Sequence, residues 1–143
     1  MSHSISKIWI HVIFSTKDRE PLIKESFESE LHQHIFNNFV NENNCYVKII
    51  NGIQDHLHIL FLLNPNHSIK DVIHNIKGES SHWVNQNNFL KNKFAWQIGY
   101  GAFSVSESNV ENVEKYIRNQ KEHHRTTSYV KEYETFLLKY KLQ

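Results

Sequence analysis

The sequence predicts an α+β fold of the ferredoxin-like type: a βαββαβ order, an antiparallel sheet with helices on one face, and further helices after it. Three observations lead there. Four stretches are extended in character and rich in β-branched or aromatic residues. Two stretches between them repeat their apolar residues at helical spacing. The C-terminal part then reads as helix again. In this topology the first and third strands lie at the centre of the sheet.

The first strand is the run Ile8-Trp9-Ile10-His11-Val12-Ile13-Phe14, broken by Lys17-Asp18-Arg19-Glu20-Pro21. A helix follows in which Phe27, Leu31 and Ile35 recur every four residues on one stripe. Tyr46 to Ile50 reads as a second strand, Asn51-Gly52 as a turn or bulge, and Leu57 to Leu63 as a third strand. Ser68 is the expected N-cap of a second helix, with Asp71 in its first turn and Ile69, Val72, Ile73, Ile76 and Trp83 at helical spacing. Gly78 interrupts that helix at about 1 kcal/mol relative to alanine, which points to close packing or ligand approach. Phe94 to Val105 is the fourth extended stretch, bent at Gly99 and Gly101. Ser108 and Glu111 have the spacing of a capping box for a third helix reaching about His123, and Tyr129 to Leu142 is a fourth helix.

The chain of 143 residues, 39% hydrophobic and 13% aromatic, is long enough for one domain with a real core, expected over residues 1–143. A net charge of +1 does not mark a nucleic-acid binder, so any such binding must rest on a local patch. Cys45 is the only cysteine, which excludes an intrachain disulfide and a cysteine-based zinc site. With no signal peptide and no bilayer-length apolar run, a cytoplasmic protein without a membrane partner is expected.

Two elements carry chemistry. In Asp55-His56-Leu57-His58-Ile59-Leu60-Phe61, strand alternation puts His56 and His58 on one face, about 7 Å apart, able to hold one metal ion. Leu57, Ile59 and Phe61 then face a helix-covered core. The other His-x-His pair, His32 and His34, falls in a helix, where residues two apart diverge. In Val113-Glu114-Lys115-Tyr116-Ile117-Arg118-Asn119-Gln120, Tyr116 and Gln120 are four apart and would share a helix face beside the stripe of Val110, Val113 and Ile117. Each element has a plain structural reading, histidines at the edge of a core and a tyrosine beside a solvated glutamine.

Together, "DHLHILF" and the later "YIRNQ" resemble the signature of the HUH-type single-tyrosine transposases of small bacterial and archaeal insertion sequences. "HVIFSTKDREPL", "IKGESSHW" and "WQIGYGAFSVS" are similar to blocks of that family and of its repeat-associated relatives. The resemblance runs from about Ile8 to His124 and does not extend to the tail.

The resemblance implies metal-assisted cutting and rejoining of single-stranded DNA through a 5′-phosphotyrosine. Tyr116 would be the nucleophile. His56, His58 and Gln120 would ligate a divalent ion, Mg2+ or Mn2+. The partners implied are hairpin-forming single-stranded element ends and a second subunit in a homodimer. For the phosphate backbone the candidate cations are Lys17, Arg19, Lys77, Lys115, Arg118, Lys121 and Arg125, while Trp9, Trp83 and Trp96 serve base stacking or, more simply, core packing. No residue identifies itself as general base. The competing readings are a domesticated or inactive single-stranded nucleic-acid-binding protein of the same fold and another HUH nuclease, such as a replication initiator or relaxase.

Overall fold

The computed structural model describes residues 4–140. Its elements are β1 (Trp9–Ser15), α1 (Glu25–Asn41), β2 (Tyr46–Ile53), β3 (His56–Leu62), α2 (Ile69–Gln86), β4 (Gly101–Val105), α3 (Val110–Arg118), α4 (Gln120–His123) and α5 (Tyr129–Lys139). Short 3-10 turns at Lys17–Arg19 and Glu107–Asn109 precede α1 and α3. The strands form one antiparallel sheet in the order β2-β3-β1-β4, so β1 and β3 are central as expected.

Alternation along the two central strands divides the molecule. Ile10, Val12 and Phe14 of β1 and Leu57, Ile59 and Phe61 of β3 face one way. They pack with Phe27, Leu31, Ile35 and Phe39 of α1 and Val72, Ile73 and Ile76 of α2 in the main core. The other face carries Trp9, Leu60 and Val105, over which Val110 and Ile117 close a smaller cluster flanked by Tyr116. The sheet is thus covered on one side by α1 and α2 and on the other by the segment from α3 onward. Trp9 and Trp96 are buried, and Trp83 stacks on His34, so all three tryptophans serve packing.

Several expectations shift. Ser68 caps α2 as predicted, its side chain accepting the Asp71 amide at 3.0 Å. Asn51-Gly52 is not a turn, because β2 runs on to Ile53 and the chain reverses at Gln54-Asp55, while the bulge lies between Val47 and Ile49. Thr16 and Ile23 donate their amides to Asp55 O and Gln54 O, both at 2.9 Å, and this fixes the reversal. The fourth strand starts only at Gly101. Before it, Trp96 makes an isolated bridge to Thr16, and the carbonyls of Gln97 and Gly99 are taken by Lys77 Nζ instead of a ladder. A Cβ on Gly78 would meet nothing within 4 Å, so that glycine serves no close approach. Ser108 caps nothing, since the capping-box region forms a 3-10 turn and Asn109 precedes α3. The predicted last helix ends at Lys139, and its final residue Leu142 lies outside the described residues.

Gly52 is the glycine most tightly enclosed by backbone. A Cβ there would lie 2.1 Å from His56 O, on the backbone of the facing strand. Gly52→Ala is expected to lower stability by roughly 1–3 kcal/mol in denaturant titration, because a strand must move to make room.

Candidate functional site

Strand alternation brings His56 and His58 side by side on the face of β3 away from the main core, both fully buried. Their surroundings come from α3, α4 and α5. Asn51 Nδ2 donates to Ile117 O and Arg118 O, both at 3.0 Å, taking up carbonyls that a helix end leaves free. The chain turns at Asn119, and Gln120 begins a new helix. Tyr116 and Gln120 therefore do not share one helix, contrary to the sequence reading, yet both reach the same group.

That group is Glu132 of α5, only 3% exposed. Its Oε1 lies 2.9 Å from His58 Nε2, 3.1 Å from His124 Nε2 and 3.3 Å from His56 Nε2. Its Oε2 accepts hydrogen bonds from the Tyr116 hydroxyl and from Gln120 Nε2, the latter at 3.0 Å. Gln120 Oε1 is 3.2 Å from His56 Nε2. One carboxylate thus gathers the imidazoles on one oxygen and the phenol on the other, all within one chain.

The outer nitrogens of the three imidazoles are also occupied. His56 Nδ1 donates to Asp55 Oδ1 at 2.7 Å, and His124 Nδ1 donates to Thr127 O at 2.5 Å. His58 Nδ1 is 2.8 Å from Nε2 of the buried His11. Each ring is held by its far nitrogen with Nε2 aimed inward, the arrangement that orients histidine ligands around metals.

Charge follows from these contacts. Burial opposes charging His56, but hydrogen bonds to Asp55 and Glu132 outweigh it and raise its pKa. Burial lowers His58, against the pull of Glu132, and lowers His11 further, where His58 adds to the effect. His124 is brought down to about 4 by burial and then by His56. Burial works against ionising Glu132, yet the bonds from His56 and His58 hold its carboxyl below the usual range.

Donor chemistry tests whether a metal fits. One ligand atom from each of His56, His58, His124 and Glu132 lies within 4.8 Å of the others. With the Nδ1 proton of His124 given to Thr127 and the ring neutral, its Nε2 lone pair faces Glu132 Oε1 without a hydrogen between them. A cation between the two relieves that repulsion. His123 Nε2 is also buried without a hydrogen-bond partner, 3.5 Å from Glu132 Oε2. The cluster can therefore hold a metal ion.

Sequence reasoning anticipated His56, His58, Tyr116 and Gln120 in one place. It missed Glu132, His124, His11 and Asp55. A histidine inside the apolar run of β1 was a signal for His11, and adjacency to His56 was one for Asp55. Glu132 lies in an amphipathic helix full of ordinary charges and offered none. Of the cations named as phosphate contacts, four have protein partners. Lys77 holds Gln97 and Gly99, Arg118 pairs with Glu114, Lys121 with Glu28 and Arg125 with Glu122. Lys17, Arg19 and Lys115 are exposed.

A family model described as "Transposase IS200 like" matches residues 4–120. His124 and Glu132 lie beyond that match. Among solved structures, a candidate transposase from Deinococcus radiodurans R1 is similar with a TM-score of 0.65 and 24% identity, over 84% of this chain and 95% of the other. A REP-associated tyrosine transposase bound to a REP hairpin is similar with a TM-score of 0.62 and 14% identity, over 87% of this chain and 74% of the other. At these identities the likeness is one of fold. No curated protein matches the chain significantly. No helix among the described residues is long and apolar enough to cross a membrane.

Buried and half-buried histidines make stability depend on pH. His11, His32, His58, His123 and His124 all have folded pKa values below the ordinary 6.5, with His32 and His124 near 4. Below pH 6.5 the unfolded chain takes up protons that the folded chain refuses, so stability falls as pH drops toward 4. His56, raised, acts in the opposite sense but alone. Glu132, lowered, adds a further loss below its ordinary value of 4.5. Denaturant titration of metal-free protein is expected to show a loss on the order of a few kcal/mol between pH 7 and pH 4.

Proposed function

Because the chain belongs to the IS200-like transposase family, we propose that it cuts and rejoins single-stranded DNA through a covalent 5′-phosphotyrosine on Tyr116. The observation that carries this reading is the Glu132 bridge, which joins the Tyr116 hydroxyl to the His56 and His58 imidazoles in a buried cluster. A tyrosine with a plain packing role has no need of such a neighbour.

In this reading Tyr116 Oη attacks phosphorus, a tyrosyl–phosphate bond forms, and the bond to the 3′ oxygen breaks. Glu132 Oε2, which already accepts the phenolic hydrogen bond, is the acceptor at hand for the phenolic proton. The departing 3′ oxygen gains a proton, and a second 3′-hydroxyl can later reverse the exchange without an outside energy source. His56, His58 and Gln120 hold a divalent ion, with His124 and Glu132 as further donors that the sequence motif lacks. Such an ion, when bound, neutralises the phosphate and stabilises the leaving oxygen. The imidazole-rich donor set favours Mn2+ over Mg2+, which prefers oxygen and water.

Tyr116 reaches the cluster within its own chain, which supports cleavage in cis. Pairing of subunits in a homodimer would then hold two DNA ends together and would not be needed to complete the site. A folded single strand is the substrate we favour, in line with the hairpin held by the REP-associated relative and with a net charge of only +1, which makes indiscriminate duplex binding weak.

The test uses a hairpin-bearing single strand from DNA flanking the gene, with Mn2+ or with EDTA, read as a protein–DNA adduct on a denaturing gel. The wild type is expected to form an adduct at the 5′ side of the break with Mn2+ and none with EDTA. Tyr116→Phe should lose the adduct entirely, keep metal binding in calorimetry, and lose about 1–3 kcal/mol of stability with its hydrogen bond to the buried carboxylate. His58→Ala should lose both metal binding and cleavage, and Gln120→Ala should slow cleavage roughly 10–100-fold. Peptide mapping that finds DNA on Tyr129, Tyr133 or Tyr140 would overturn the assignment.

A further inference from the structure

Beside the cluster, between α3 and α5, lies a cavity of about 450 Å³. Tyr116 and Glu132 line it as well as the cluster, so cavity and candidate chemistry are continuous. Val113 and Phe136 give it apolar walls, Asn112 a polar edge, and Lys131 and Lys139 positive charge. We propose that this cavity binds the base of one unpaired nucleotide, the one adjoining the phosphate presented to Tyr116. The inference rests on the transposase reading and adds to it a protein pocket for the substrate strand.

Three features point to that occupant. The first is shape and polarity: a nucleobase is a flat apolar slab with a polar edge, and aromatic rings accept it by stacking. The Phe136 ring stands 5.8 Å from Tyr116 and 5.2 Å from His11, both roughly perpendicular to it. It is kept in place from behind by stacking on Phe103 at 5.4 Å. The second is hydrogen bonding. Asn112 Nδ2 donates to Asn109 Oδ1 at 3.1 Å, and Asn112 Oδ1 has no partner among the described residues, which leaves an acceptor for an exocyclic amine. The third is charge. Lys131 and Lys139 are exposed and form no ion pair among the described residues, so they can meet the phosphates that flank the base. A purely apolar ligand would leave the amide and both lysines idle.

The test needs neither metal nor cleavage. Deoxynucleoside 5′-monophosphates are titrated into isotope-labelled full-length Tyr116→Phe protein in EDTA and followed by NMR, with 2-deoxyribose 5-phosphate as the baseless control. Saturation transfer is expected to be strongest on base protons, with shifts at Asn112 and Phe136 that the control does not produce. Thr135→Trp places a large side chain into the cavity from an exposed helix position, so it removes no packing. It should weaken binding at least tenfold, and Asn112→Ala should weaken the amine-bearing bases more than thymidine monophosphate. The inference is overturned if no mononucleotide shifts the cavity residues. It is equally overturned if the control shifts them as much, or if Thr135→Trp binds as well as its parent. Failure of the wild type to form an adduct at Tyr116 would instead sink the underlying reading, whatever the cavity binds.

Discussion

Burying a carboxylate away from water costs several kcal/mol unless other groups replace the lost hydration. Glu132 meets that demand with the Tyr116 hydroxyl, the Gln120 amide and the inward nitrogens of His56 and His58. Those groups come from α3, α4 and β3, so satisfying one side chain of α5 fixes the relative positions of three helices and the central strand. Removing any partner would leave charge stranded in a dry place, and this interdependence makes the site one unit.

The sheet explains why such a unit can exist in a small chain. Alternation on β1 and β3 sends large apolar side chains to one face, where α1 and α2 build the main core. The opposite face is freed from most of that task. It carries a small apolar cluster and, beside it, the imidazoles of His11, His56 and His58. Stability and chemistry are thereby segregated to opposite sides of the same two strands. Orientation is then a matter of neighbours: Asp55 sits at the hairpin reversal that the Thr16 and Ile23 amides hold, and it aims His56. His11 can either donate to or accept from His58, so it tolerates whichever ring tautomer the inward side requires.

Much of this was legible in the sequence, and the rest had a physical reason to stay hidden. Periodicity revealed the elements because Phe27, Leu31 and Ile35, or Leu57, Ile59 and Phe61, must face one core. The two histidines were readable because alternation is rigid. Boundaries failed where backbone groups found unusual partners. The Asn51 side chain ends α3 early, and Lys77 holds the carbonyls before β4, neither of which leaves a pattern of spacing. Glu132 was invisible because its importance is entirely tertiary. A glutamate on an amphipathic helix looks the same whether it faces solvent or three imidazoles.

The way α5 is attached has a consequence for its local opening. Ser128 caps its first turn, Phe136 and Tyr140 stack on Phe103, and Glu132 reaches into the cluster. No strand ladder anchors this helix, so it can detach while the sheet and the main core stay intact. Its amide protons then exchange with solvent through that partial opening, and those of β1 and β3 only through global unfolding. Protection of the α5 amides becomes a direct gauge of how firmly the Glu132 cluster is closed, read in the folded protein without any substrate.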